Sequence, residues 1–240
     1  MQLSMDLPIR FPKEAYEYGR RSSGETHGVV LTKPHLVELI LDLAGYTSDR
    51  DLAQMRLLEP ACGHGAFLVP AVGRLMAAAK AARAKAEKLA DCIRAFDIDD
   101  AHVDITRSAV VEALRMHAVN ASTASMLAER WIQVGDFLLA PARATFDAVV
   151  GNPPYIRIEQ IAPALQAEYR TRYQSIYDRA DLYVAFIERG LSLLGPRGVL
   201  SFVCADRWTL NRYGAPLRRL IADQYHVQSY VDLHQASPFE

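Results

Sequence analysis

The sequence is short of cysteine, of net charge and of long apolar runs, and each shortage excludes something. Its three cysteines, Cys62, Cys92 and Cys204, are widely spaced, odd in number and without metal-ligand spacing. A disulfide scaffold is excluded, and buried thiols in a reducing compartment are expected. Lysine and arginine number 27 against 28 acidic residues, giving a formal charge of −1. A globally basic surface is therefore excluded. Any contact with nucleic acid must come from a local patch or from a part of the protein outside this sequence. No apolar run is long enough to span a bilayer. Residues 1–13 are interrupted by Pro8 and Pro12 and carry Asp6 and Arg10, which does not read as a signal peptide. The expected location is the cytoplasm, with no membrane partner. His27, His35 and His64 lack ligand spacing, so no metal is expected. There are no repeats, and the only biased stretch is rich in alanine.

What is there is apolar and ordered in its pattern. Half of the 240 residues are apolar, enough for one sizeable α/β core with little left for a second domain. Residues 1–30 read as a polar, irregular segment, with Arg20, Arg21, Ser22, Ser23 and Gly24 at its loosest point. From residue 31 onward strand and helix patterns alternate. Thr32 as N-cap and Pro34 in the first turn announce a helix through Leu43. A strand at Leu57-Leu58 leads to a glycine-bearing turn and then a helix over residues 67–89. Further strands are predicted at 93–97, 131–134, 146–150, 199–203 and 227–233. Helices are predicted at 101–118, 182–194 and 213–221, with Gly195-Pro196-Arg197-Gly198 stopping the second. The alternation predicts an α/β fold with a doubly wound, mostly parallel sheet.

Chemistry gathers at the carboxyl ends of these strands, where open α/β sheets place their ligands. Asn152-Pro153-Pro154-Tyr155 follows the apolar run 146–150. Asn152 offers an amide oxygen as acceptor. The two prolines fix the backbone and remove two N–H donors, which leaves carbonyls free to point outward. Tyr155 offers a flat face on which a base can stack. On these four residues alone, a cradle for a planar amino group and a plain strand-terminating turn weigh equally. Gly63-His64-Gly65 between a strand and a helix allows a ligand to approach the backbone, and the helix start favours a carboxylate. A plain turn is again the alternative. Asp97 ends the next strand, where a carboxylate can accept ribose hydroxyls, or can cap a helix beside Asp99 and Asp100. Asp136 ends the third, with Phe137 beside it, placed to read an adenine amino group and flank its ring. Gly65 and Asp97 are 32 positions apart. A dinucleotide site has roughly 20 there and a third glycine. Arg157, Arg170, Arg172, Arg179, Arg207, Arg212, Arg218 and Arg219 are either phosphate contacts or a solvated face.

In this order the motifs resemble the gamma-class S-adenosylmethionine-dependent DNA adenine methyltransferases of restriction–modification systems, over about residues 26 to 235. Asn152-Pro153-Pro154-Tyr155 matches their catalytic motif without change. Glu59-Pro60-Ala61-Cys62-Gly63-His64-Gly65 is similar to their cofactor loop. Thr32-Lys33-Pro34 resembles an N-terminal cofactor-contacting motif that usually reads Thr-Pro. Asp181-Leu182-Tyr183 and residues 195–200 resemble later motifs. The resemblance implies a Rossmann-like class I methyltransferase fold and S-adenosyl-L-methionine as cofactor. It implies cofactor contacts from Thr32, Glu59, Pro60, Ala61, Cys62, Gly63, Gly65, Asp97, Ile98, Asp136, Phe137 and Asn152. Catalysis would rest on Asn152, Pro153, Pro154 and Tyr155, acting on N6 of a flipped adenine. It further implies that residues 31–240 are a catalytic domain that stops before a closing hairpin and a target-recognition domain. Double-stranded DNA would be bound through that missing part, with a restriction or specificity subunit as a further partner. Protein glutamine N5-methylation and RNA adenine methylation are the competing activities, since a glutamine amide nitrogen poses the same chemical problem. A non-catalytic fragment that binds cofactor or DNA is the competing class.

Overall fold

Leu57, Ile93, Ile132, Phe146 and Leu194 each open a strand, and the five strands lie side by side in one sheet. The structure, a computed structural model, describes residues 11–19, 32–141 and 145–234. The strands are β1 (Leu57–Glu59), β2 (Ile93–Asp97), β3 (Ile132–Val134), β4 (Phe146–Gly151) and β5 (Leu194–Phe202), in the order β3-β2-β1-β4-β5. Every pairing is parallel. The chain steps outward from β1 to β3 and then returns to the other side of β1. The strand order therefore reverses between β1 and β4, and a ligand crevice opens at such a switch point.

The helices are α1 (Pro34–Leu43), α2 (Leu68–Ala81), α3 (Asp100–Met116), α4 (Ala121–Trp131), α5 (Pro163–Arg172), α6 (Tyr183–Ser192), the short α7 (Arg207–Leu210) and α8 (Ala215–Gln224). Successive strand residues point to opposite faces. Leu57, Ala148 and Val150 accordingly join a core with residues of α1 to α4. Leu58 and Val149 join another with residues of α5 and α6. A third, smaller cluster seats α8 on α6 through Tyr183, Val184, Ile187 and Leu217. The expected doubly wound, parallel architecture is what these faces build. Among the described residues no helix is long and apolar enough to cross a membrane.

Several local expectations are corrected. Lys33, not Thr32, caps α1, in extended conformation and without a side-chain bond, and Pro34 takes the first turn as expected. The alanine-rich helix ends at Ala81, well before residue 89. Arg83 adopts φ +55°, Ala84 N donates to Ala79 O at 2.8 Å, and the chain folds back so that Leu89 is buried. Trp131 ends α4 instead of opening a strand. That helix is capped by Asn120, whose side chain accepts from Thr123 N. The 195–198 segment lies within β5. Register slips there, from Phe146 opposite Leu194 to Ala148 opposite Val199, so these residues form a bulge. A Cβ on Gly198 would lie 2.6 Å from Phe146 O, so only glycine fits. Residues 227–233 form no strand. A strand needs a hydrogen-bonded neighbour, and none lies alongside among the described residues; Val227, Tyr230 and Val231 are exposed. Of the segment 1–30, only 11–19 are described, and Lys13–Gly19 is a 3-10 helix instead of an irregular stretch. The stretch 20–24 and His27 lie outside the described residues.

Candidate active site

The loop from β1 to α2 is shaped by its two glycines. Gly63 and Gly65 have φ of +50° and +85°, a region L side chains rarely occupy. A Cβ on Gly65 would stand 3.1 Å from Thr106 Cγ2, whereas one on Gly63 would meet nothing within 4 Å among the described residues. Gly63 is thus uncrowded by the described residues. Its carbonyl accepts from Thr106 Oγ1 at 2.7 Å, and its N–H donates to Asp97 Oδ2 at 2.9 Å. Cys62 is buried, which pushes its thiol up and leaves it unreactive. Pro60 is buried and Ala61 half-buried.

Glu59, at the end of β1, is only 1% exposed, and its Oε2 has no hydrogen-bond partner among the described residues. Burial, and then the charge of Asp97, hold its carboxyl well above the usual range. Asp97 is better served. Its Oδ1 accepts from Asp99 N at 2.9 Å and lies 3.4 Å from His102 Nδ1. That bond raises the His102 pKa. Helix capping falls to Asp99, which accepts from Ala101 N. Asp97 instead ties β2 to the glycine loop. Ile98 beside it is 40% exposed and offers an apolar face.

Asp136 lies under two hydroxyls. Its Oδ2 accepts from Tyr169 at 2.7 Å and from Tyr16 at 3.4 Å, and its Oδ1 accepts from Leu138 N at 2.8 Å. Burial raises its pKa against these bonds. Phe137 is 2% exposed and packs between Phe96 and Phe186, with the Arg189 guanidinium over its ring. The structure therefore places Phe137 in the core, and Ile98 is the residue here with apolar surface to offer.

The end of β4 joins the same crevice. Gly151 has φ +146°, and a Cβ there would touch Glu59 Cγ and Pro60 Cδ, each at 3.6 Å. Asn152 follows with both ends of its amide engaged. Nδ2 donates to Thr32 Oγ1 at 3.3 Å, and Oδ1 accepts from the Tyr155 hydroxyl at 2.7 Å. Thr32, excluded as a cap, thus orients Asn152. The Tyr155 hydroxyl also contacts Val203 O at 3.3 Å, and burial keeps it protonated as a donor. Its ring meets the edge of Tyr183 at 6.0 Å. Tyr183, Tyr213 and Asp181 form a further hydroxyl chain at 2.9 and 3.0 Å. Pro153 is buried and Pro154 half-buried.

The structure thus joins Thr32, Asn152 and Tyr155 in one cluster, and Glu59, Gly63 and Asp97 in another beside it. Asp136 stands further along the strand ends. Sequence reasoning missed Tyr16, His102, Thr106 and Tyr169. Tyr16 and Tyr169 reach Asp136 across 120 and 33 positions, beyond any local pattern. The arginines divide. Arg170 and Arg218 hold backbone carbonyls, and Arg172 and Arg179 pair with Glu168 and Glu159. Arg157, Arg207, Arg212 and Arg219 are exposed, and the last two line a surface cleft with Tyr177. His35 and His64 are exposed, and His64 meets His102 edge-on at 4.8 Å. No cluster able to hold a metal ion occurs among the described residues.

A parallel sheet in this order, with a glycine loop after β1 and acidic residues after β2 and β3, defines the class I methyltransferase fold. A putative class I S-adenosylmethionine-dependent methyltransferase from Listeria monocytogenes shares it, with a TM-score of 0.57 at 17% identity over 82% of this chain and 53% of that one. Residues 91–239 match the family of the Eco57I restriction-modification methylase, and the chain belongs to that family. It is 49% identical over 218 residues to the type II methyltransferase M.PaeR7I of Pseudomonas aeruginosa, covering 90% of this chain and 38% of the relative. It is 45% identical over 219 residues to M.XhoI of Xanthomonas vasicola, covering 90% and 40%. The chain thus spans about two-fifths of the length of these curated relatives.

Proposed function

We propose that this chain is the catalytic part of a site-specific DNA adenine-N6 methyltransferase of a restriction–modification system, with S-adenosyl-L-methionine as cofactor. Family membership favours DNA over protein glutamine or RNA as the acceptor. Recognition of double-stranded DNA falls to sequence beyond this chain, in the remaining length that the relatives carry or in an associated specificity or restriction subunit.

The residues present fit the cofactor. Among the described residues nothing crowds Gly63, and Glu59 Oε2 is a buried oxygen without a hydrogen-bond partner. Glu59, the glycine loop, Asp97, Ile98 and Asp136 would hold it. When bound, S-adenosyl-L-methionine supplies an activated methyl group.

The protein's own task is to make the adenine nitrogen nucleophilic. That nitrogen's lone pair is delocalised into the ring. Asn152 Oδ1 and the Pro153 carbonyl would accept its two N–H bonds, which draws it toward tetrahedral geometry and frees the lone pair. Tyr155 would stack on the base once it has left the duplex. The acceptor charge rises as the donor charge falls, so no strong base is required, and the rate gain comes from position and electrostatics.

The observation that carries this reading is the Asn152 amide, oriented by Thr32 and Tyr155 beside the glycine loop. The test is methyl transfer to duplex DNA by the full-length protein. Asn152→Ala should lower turnover by about 10²–10³-fold or more. Cofactor affinity should stay close to wild type. Wild-type turnover in the variant would remove Asn152 from the chemistry.

A further inference from the structure

Lys13–Gly19 is a 3-10 helix, and such a helix aligns side chains three residues apart on one face. Lys13 and Tyr16 have that spacing, and both reach the ends of the sheet strands. Lys13 Nζ meets Asp100 Oδ2 at 2.6 Å, just past the β2 loop. The Tyr16 hydroxyl meets Asp136 Oδ2 at 3.4 Å, just past β3. Phe11, Ala15 and Tyr16 pack against the same core cluster as Ala61 and Phe96. The segment therefore spans the two acidic loops that bracket the space between Asp97 and Asp136.

We infer that Tyr16 is a further residue of the nucleoside site, carried across its mouth by Lys13–Gly19 as a strap. This rests on the cofactor reading above. A carboxylate has about four acceptor positions. Asp136 has given one on Oδ1 to Leu138 N and two on Oδ2 to the tyrosines. The place left on Oδ1 takes an exocyclic amino group, with the Tyr16 ring adjoining the base. Lys13 and Asp100 are both exposed, and such pairs hold little. The 3.4 Å contact is long for an O–H···O bond. In this proposal the strap lifts to admit the nucleoside and settles again over it.

The test is calorimetric titration of the chain with S-adenosylmethionine and, separately, with adenosine, for wild type, Tyr16→Ala and Tyr16→Phe. Loss of the ring in Tyr16→Ala should weaken both ligands by the same factor, about tenfold. Tyr16→Phe keeps the ring and should stay within about threefold of wild type. Amide exchange across Lys13–Gly19 should slow when either ligand is added to wild type. Unchanged affinities in Tyr16→Ala, or weakening of S-adenosylmethionine but not of adenosine, would overturn the role. A wild-type chain that binds neither ligand would instead refute the cofactor reading, and the strap with it.

Discussion

The ends of β1 and β4 lie side by side at the switch point, and they are built on opposite plans. At β4, Asn152 has a partner at each end of its amide, supplied by Thr32 and Tyr155. At β1, among the described residues, Glu59 is buried with Oε2 unserved and nothing crowds Gly63. The first arrangement is complete within the chain. The second holds a polar group whose burial is costly until a donor arrives. On the proposed function, an amide already oriented beside a loop whose buried acceptor is unserved means that ligand binding, not rearrangement of Asn152, completes the site.

The sharpest way to break the contrast is at Gly65. Gly65→Ala puts a Cβ 3.1 Å from Thr106 Cγ2 at φ +85°. The strain should cost about 1–3 kcal/mol. For a chain of this size each kcal/mol lowers Tm by about 2–4 °C. Since Thr106 also holds the Gly63 carbonyl, cofactor affinity should fall with stability. An unchanged melting curve would mean that the loop has slack, and the binding side would then not be tightly built.

A smaller effect separates the two sides by pH. The folded-state pKa of Glu59 is raised by burial and by Asp97. A raised carboxyl binds its proton more tightly when folded. Its contribution to stability is thus whole below the unfolded value, roughly 4.3. It is lost as pH rises through the folded value. Glu59→Gln removes that loss, so the variant's Tm should gain on wild type progressively with pH. Parallel Tm profiles would show that Oε2 finds a donor in the free protein.

How far each side could be read in the sequence follows from the same contrast. The strand ends, glycine loop and Asn-Pro-Pro-Tyr were legible because they depend on residue type at short range. Helix ends were less so. Gly45 marks the end of α1, but Arg83 and Ala118 take the same left-handed position after α2 and α3 without any glycine to announce it. The turn at Arg83 answers to the burial of Leu89, which is a tertiary demand. Thr32 looked like a cap because Pro34 falls in the first turn after it, and its hydroxyl serves Asn152, 120 positions away. Residues 227–233 carry a strand pattern, but pattern alone supplies no neighbour to pair with. The hydroxyl partners of Asp136 come from Lys13–Gly19 and from α5, and no spacing rule links them.

The smallest predicted effect bears on the complete side. Tyr155→Phe retains the ring and its edge contact with Tyr183, and removes the hydroxyl that donates to Asn152 Oδ1. One lost hydrogen bond should cost about 0.5–1.5 kcal/mol of stability. Cofactor affinity should not change, because the bond lies on the β4 side. Turnover of the full-length protein should fall several-fold with little change in the KM for DNA, because stacking survives while the amide loses one of its two restraints. Thr32 would still hold Nδ2, so the loss should stay well short of that in Asn152→Ala. If Tyr155→Phe instead raised turnover, the hydroxyl would be competing with the substrate amino group for Oδ1. The β4 end would then need its ligand as much as the β1 end does, and the contrast between them would be gone.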